Sequence, residues 1–207
     1  MGKLNDIGLK YGTDKSTRVH NYLNIYEKYF ESIRNDELTF LEIGILRGQS
    51  MNMWLEYFTN TLSKFYGIDD IYQFEAERFK LFCGKQEDRI FLNSIANGKC
   101  FDIIIDDGGH TMEEQQISLG VLFPFVREGG LYIIEDLNSS VVKPGRCNKT
   151  KTKNTTIRMI KDLVSGKKIE SDFMKSEEIQ YLLQNTKECL LYLNKIAFIR
   201  KSTNILG

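Results

Sequence analysis

The sequence is poor in several residue types, and each shortage removes a class of protein. Its four cysteines, Cys83, Cys100, Cys147 and Cys189, include no Cys-x-x-Cys pair, which argues against zinc ribbons and thioredoxin-like redox chemistry. Cys83 and Cys100 stand in apolar surroundings and are expected to pack as small hydrophobes. Two prolines leave no proline-rich linker. Neither sign of charge is in excess: 28 Lys and Arg balance 28 Asp and Glu, without the basic surplus of a dedicated nucleic-acid binder. No apolar run approaches the length of a membrane span, and the first residues lack the apolar segment of a secretory signal. The expectation is a cytoplasmic protein that engages neither nucleic acid nor membrane.

What remains is an ordinary globular composition, 42% hydrophobic and 27% charged over 207 residues, suited to one domain spanning 1–207. Thr39–Gly44, Lys64–Ile68, Phe79–Cys83, Phe101–Ile105 and the run from Gly130 predict strands. Gln49–Thr61, Gln73–Glu77, Met112–Val126 and Thr156–Ser165 predict helices and Asp88–Ala96 a helix or turn, preceded by the helical spacing of Tyr22, Tyr26, Tyr29 and Ile33. Leu190–Leu193 and Ile196–Ile199, joined by Asn194–Lys195, predict a terminal β-hairpin. Alternating strands and helices imply right-handed crossovers. The expected fold is therefore α/β: a Rossmann-like, doubly wound, mostly parallel sheet of seven strands with a C-terminal antiparallel hairpin. The aromatic pattern of Tyr22–Phe30 is compatible with a homo-oligomer.

Polar residues concentrate just past the strand ends, where an open α/β sheet binds its ligands. Phe101–Ile105 runs into Asp106, Asp107, Gly108, Gly109 and His110, and the next strand runs into Glu135 and Asp136. So much like charge at neighbouring strand ends calls for a cation or a shared proton. The first strand leads to Glu42, Gly44, Gly48 and Ser50. Glycines admit a ligand to the backbone, the following helix N-terminus favours an anion, and Glu42 attracts an ammonium, so an amino-acid moiety fits; the same turn would also serve merely to end a strand. Asp69 follows the second strand, where it is placed to accept from ribose hydroxyls or to cap a helix. His110 is one of only two histidines and reads as a proton acceptor or a helix cap.

Taken in order, Tyr11-Gly-Thr-Asp-Lys15 with His20, Glu42-Ile-Gly44, Gly84-Lys-Gln86-Glu-Asp88, Asp106-Asp-Gly-Gly-His110 and Glu135-Asp136 resemble the class I S-adenosylmethionine-dependent methyltransferases. Within that class the likeness is to metal-dependent sugar and macrolide-glycoside O-methyltransferases. It covers about residues 8–138, and the hairpin extends it to about 200. The resemblance implies S-adenosylmethionine as cofactor, with Glu42, Gly44, Gly48 and Ser50 at its methionine end, Asp69 on the ribose, Gln86 and Asp88 near the adenine, and Asp106 beneath the methylthio region. It implies a divalent cation, Mg²⁺ or Mn²⁺, on Asp107, Glu135 and Asp136, and a general base in His110, so that His110 and Asp107 are the catalytic residues. Lys85 departs from the family, which carries aspartate there. Residues 1–20 would form a flap, with Tyr11, Thr13, Lys15 and His20 as contacts, and 137–155 a substrate-selecting loop. Lys143, Arg146, Lys149 and Lys151 in that loop would meet a phosphate, as in a nucleotide-linked sugar, or stand as solvated charge.

The chemistry is coherent on its own terms. Sugar hydroxyls are poor acids, a cation lowers their pKa, and a neighbouring histidine accepts the proton. The reading is thus an O-methyltransferase acting on a sugar, nucleotide-sugar or glycoside. Its alternatives are a metal-dependent hydroxylase of the cephalosporin-hydroxylase type, which would need His20 to join His110, and a non-catalytic S-adenosylmethionine-binding protein.

Overall fold

A computed structural model describes residues 2–70, 75–76 and 78–203. Helices α1 (Lys3–Tyr11) and α2 (Leu23–Phe30) precede strand β1 (Thr39–Ile43) and helix α3 (Gln49–Tyr57). Strands β2 (Lys64–Asp69), β3 (Glu75–Ala76) and β4 (Phe79–Cys83) follow, then α4 (Arg89–Ala96), β5 (Phe101–Asp106), α5 (Met112–Leu122) and β6 (Val126–Ile134). Two one-turn helices, α6 (Ser139–Val142) and α7 (Pro144–Cys147), lead to α8 (Thr156–Val164), α9 (Ser176–Asn185) and the hairpin of β7 (Thr186–Tyr192) and β8 (Ile196–Lys201).

The strands form one sheet in the order β3-β4-β2-β1-β5-β6-β8-β7. Strands β4, β2, β1, β5 and β6 run parallel, and β8 runs antiparallel between β6 and β7. This is the expected seven-stranded sheet, with the two-residue β3 added antiparallel to β4 at one edge. The chain enters mid-sheet at β1, runs outward through β2 and β4, and resumes on the other side of β1 at β5. The strand order therefore reverses between β1 and β5, which is where a crevice opens at the carboxyl ends.

Successive side chains alternate between two buried faces. Leu41, Ile43, Ile104, Tyr132 and Ile134 pack with residues of α4, α5, α8 and α9. Phe40, Ile103, Ile105, Leu131 and Ile133 pack on the opposite face with residues of α1, α2 and α3. There Trp54 meets Tyr26 at 5.3 Å, Phe40 at 5.6 Å, Phe30 at 5.7 Å and Phe58 at 6.2 Å between ring centroids. These rings weld α2 and α3 to the centre of the sheet.

Several boundaries depart from the sequence pattern. Helix α5 stops at Leu122, since Pro124 lacks the N–H that would continue it, and β6 begins at Val126, with Gly129 (φ 75) absorbing a register irregularity against β5. Glu75–Ala76 is strand, not helix; the remainder of the helix expected at Gln73–Glu77 lies outside the described residues. Helices α1 and α9 arise where no helix is expected. Helix α1 buries Leu4 and Ile7, so the segment expected as a flap is rooted in the core. In the hairpin, Lys195 N–H donates to the Tyr192 carbonyl at 2.9 Å, and the two central residues are Leu193 and Asn194, both left-handed as a tight hairpin turn requires. Cys83 and Cys100 are exposed at the sheet rims rather than packed, while Cys147 is buried. Among the described residues no helix is long and apolar enough to cross a membrane.

The turn after β1 and the turn after β5 touch directly. Gly44 has φ 87, and a Cβ there would lie 2.1 Å from the Asp107 carbonyl oxygen. Gly98 has a similar φ of 72 but open space around it. Gly44→Ala is therefore expected to lower the melting temperature by roughly 5–15 °C, and Gly98→Ala by only a few degrees, about the cost of a left-handed alanine alone. Equal shifts in a thermal melt would show that the backbone contact carries no weight.

Candidate active site

A cleft of about 780 Å³ follows the carboxyl ends of the parallel strands. Asp69, Asp70, Lys85 and Gln86 border it past β2 and β4, and Gly44, Ile45 and Ser50 past β1. Asp107, His110 and Asp136 border it past β5 and β6, together with Arg146 and Lys149 of the loop beyond.

Strand parity decides which acids meet. Glu42 follows Phe40 by two residues, Asp107 follows Ile105, and Glu135 follows Ile133, so all three turn toward the face covered by α1, α2 and α3. They converge on Lys15, which is 1% exposed. Its ammonium lies 2.9 Å from Glu135 Oε1 and 3.6 Å from Glu42 Oε1, and it is ion-paired with Asp107 Oδ2. Burial pulls the Lys15 pKa down, but the charges of Asp107, Glu135 and Glu42 outweigh it and hold the group well above the ordinary lysine range. Burial pushes Glu42 up to about 7 against the pull of Lys15, and it raises Glu135 and Asp107 as well. Three acids share one ammonium, and the upward shifts express that shortage of positive charge.

Hydroxyl and indole donors of Tyr22, Tyr26, Ser50 and Trp54 also bind these acids and Asp136. Tyr26 donates its hydroxyl to Glu135 Oε1, and Tyr22 donates to Asp136 Oδ1 at 2.7 Å. Ser50 and Trp54 donate to the two oxygens of Glu42 at 2.9 and 3.3 Å. Tyr22 and Tyr26 are visible in the sequence only as an apolar helical spacing, with nothing to show that their hydroxyls meet acids more than a hundred residues away.

Asp107 Oδ1 and Asp136 Oδ2 face the other way, toward His110 Nε2 at 3.9 and 3.8 Å. Ligand atoms of Asp107, His110 and Asp136 lie within 4.8 Å of one another. Carboxylate oxygens with one imidazole suit a hard divalent cation such as Mg²⁺ or Mn²⁺. His110 Nδ1 is buried without a hydrogen-bond partner, and both His110 (φ 61) and Asp136 (φ 52) hold left-handed backbone, a conformation that persists where the surroundings over-determine it. Of the expected metal set Asp107, Glu135 and Asp136, Glu135 stands apart: it points to the α2 face, where Lys15 and Tyr26 take it. His110 does not cap α5; Thr111 does, in a reciprocal capping box with Glu114. No second histidine joins this group among the described residues: His20 stacks on Tyr22 at 5.2 Å instead, so the iron site of the hydroxylase alternative does not form.

The cofactor-side residues fall into two sets. Asp69 lines the cleft, and its Oδ2 accepts from the Ile45 and Leu46 N–H groups at 3.0 and 2.9 Å, bracing the turn after β1. Gly48 is the left-handed residue that starts α3. Asp106 lies beneath the floor, fully buried on the α5 face, and accepts from Gln86 at 2.6 Å and from Ser118. Gln86 also accepts from Gly109 N–H at 3.1 Å, so its amide fastens the turn after β5. Asp88 caps α4 through the Ile90 and Phe91 N–H groups. Of the expected flap contacts, Thr13 and Lys15 reach the cleft, whereas Tyr11 donates to Glu56 at 2.7 Å away from it.

Burial pushes Asp106 up to about 7 from an ordinary 3.8. A carboxyl that binds its proton more tightly when folded costs stability as pH rises between those two values. Asparagine fits the same bonds without titrating, accepting from Gln86 and donating to Ser118. Asp106→Asn is therefore expected to stabilise the metal-free protein at pH 8, on the order of 1–3 kcal/mol, with the gain vanishing near pH 4. Urea melts at the two pH values check this, and a gain independent of pH would refute it.

A doubly wound sheet with a glycine turn after β1, an acid after β2 and a closing antiparallel hairpin defines the class I methyltransferase fold. No protein-family model matches the sequence. Individual relatives do: demethylmacrocin O-methyltransferase of Streptomyces fradiae is 33% identical over 99% of this chain, and mycinamicin VI 2''-O-methyltransferase of Micromonospora griseorubida is 31% identical over 99%. The chain spans 54% of the length of each. The crystal structure of MycE methyltransferase, in complex with Mg and SAH, superimposes with a TM-score of 0.80 at 29% identity, covering 100% of this chain and 56% of that one. The chain has the S-adenosylmethionine-dependent methyltransferase fold and is similar along its whole length to these O-methyltransferases.

Proposed function

We propose that the protein transfers a methyl group from S-adenosylmethionine to a hydroxyl of a sugar or glycoside, with a divalent cation at the acceptor end of the cleft. The observation that carries this reading is the convergence of Asp107, His110 and Asp136 at one end of a cleft bordered further along by the glycine turn and Asp69. The relatives named above are glycoside O-methyltransferases, and MycE binds Mg and SAH, which supports the same assignment.

In this reading Gly44, Gly48 and Ser50 shape the methionine end and Asp69 faces the ribose. Glu42 and Asp106 act from beneath, Glu42 through Ser50 and Lys15, and Asp106 through Gln86. Asp107 and Asp136 hold the cation, backed by Glu135 through Lys15. A cation so held lowers the pKa of the acceptor hydroxyl and orients it. His110 Nε2 takes the hydroxyl proton as the oxygen–carbon bond forms and the sulfur–carbon bond breaks. Lys15 and Tyr22 are positioning residues: each binds one oxygen of an acid and leaves the other turned to the site.

Chelation by EDTA should abolish methyl transfer and Mg²⁺ restore it; full turnover without metal would overturn the proposal. Asp107→Asn should lose at least a hundredfold in turnover while keeping its affinity for S-adenosylhomocysteine. Tyr22→Phe should weaken metal binding by about tenfold in calorimetry with cofactor affinity unchanged, as for other groups that orient a ligand from behind. For His110→Ala, a turnover loss of about a hundredfold or more with metal affinity retained identifies a base; loss of the metal would make it a ligand instead.

A further inference from the structure

The acceptor end of the cleft carries a concentration of positive charge that the metal site does not use. From Leu137 to Lys161 the chain holds seven basic residues and no acid, although the whole sequence is neutral. Among the described residues, Lys143, Arg146, Lys149, Lys151 and Lys153 form no side-chain ion pair, while Arg158 pairs with Asp162 and Glu170. Two of the five, Arg146 and Lys149, line the cleft beside Asp136 and His110. They stand on a built loop. Cys147 between them is 2% exposed, Ser139 donates to the His110 carbonyl at 3.1 Å, and Asn148 both donates to and accepts from the Thr152 backbone at 3.0 Å. Past β2 and β4 the lining carries Asp69, Asp70 and Glu87 against the single Lys85, which pairs with Glu87, so the unpaired basic side chains of the cleft stand at the Arg146 end.

We propose that the acceptor is a phosphorylated sugar, bearing a phosphate or pyrophosphate on its anomeric carbon. Arg146 and Lys149 hold the phosphate while a ring hydroxyl lies at Asp107, His110 and Asp136. This rests on the methyltransferase reading and narrows its substrate class. A planar guanidinium binds two phosphate oxygens at once, and a flexible ammonium supplies a second charge. Without them the carboxylates of Asp107 and Asp136 would repel a phosphate from this end.

The test uses the full chain loaded with S-adenosylhomocysteine and Mg²⁺, with calorimetric binding of dTDP, glucose 1-phosphate and methyl glucoside. The phosphorylated probes should bind at least tenfold more tightly than methyl glucoside and weaken as salt is raised. Arg146→Gln with Lys149→Gln should cost tenfold or more in phosphate affinity. Lys153→Gln, which removes a charge from the same loop outside the cleft, should cost less than twofold. Preference for dTDP over glucose 1-phosphate identifies a nucleotide-linked sugar, and the reverse a simple sugar phosphate. Failure of the wild type to bind either phosphate, equal binding by the double variant, or an equal loss in Lys153→Gln overturns the proposal. Mg²⁺-dependent methylation of neutral glycosides would then leave the methyltransferase reading standing, whereas failure to bind S-adenosylhomocysteine would sink that reading itself.

Discussion

The Lys15 ammonium lies among carboxylates delivered by three adjacent strands, and the carboxyl edge of the sheet is organised around it. A buried carboxylate without a partner costs several kcal/mol, so three of them side by side are untenable without an internal cation. One ammonium only partly meets the need, which is why burial still raises Glu42, Asp107 and Glu135. The residual deficit makes the neighbourhood attractive to a second positive charge, and that charge has a place at Asp107 and Asp136, where one oxygen of each remains turned outward.

The rest of the site inherits its geometry from this arrangement. Helix α2 and the residue that precedes it supply Tyr26 and Tyr22 from their own face of the sheet, and the aromatic cluster around Trp54 holds that helix in place. The opposite face contributes a separate network of Asp106, Gln86 and Ser118 that fastens the turn after β5 from below. The turn that carries His110 is thus gripped from both faces, which is consistent with its left-handed backbone. Gly44 joins the two halves of the cleft, since its turn rests directly on the Asp107 backbone.

Much of this was legible in the residues. The acids past two apolar strands, the glycine turn and the terminal hairpin are local signals, and the sheet forms with them where they were expected. What the linear reading lost was the alternation of faces beyond the strand ends. Glu135 and Asp136 are neighbours in sequence, as are Asp106 and Asp107, yet each pair divides its members between different surroundings. The resemblance divides Asp106 from Asp107, giving one to the cofactor and the other to the metal, but keeps Glu135 with Asp136 on the metal, whereas in the structure Glu135 lies on Lys15 and Tyr26. Carrying the period of two onward from Ile105 and Ile133 turns Asp107 and Glu135 to the face of Lys15 and leaves Asp106 and Asp136 off it. The Lys15 contacts had no such local signal, because they depend on which segment covers that face. Helix α1 escaped notice because its polar positions mask the spacing of Leu4 and Ile7.

The contacts of residues 15–26 are also remote along the chain: Lys15 reaches Asp107 across 92 residues, Tyr26 reaches Glu135 across 109, and Tyr22 reaches Asp136 across 114. A ribosome making this protein releases the ammonium and both hydroxyls long before it releases Asp107, Glu135 and Asp136. Their docking awaits the emergence of β6, so the edge that holds the chemistry is assembled among the last parts of the fold, after long-range loop closure. Until then the two tyrosine hydroxyls have no carboxylate to meet, and Lys15 has only Glu42 and Asp107.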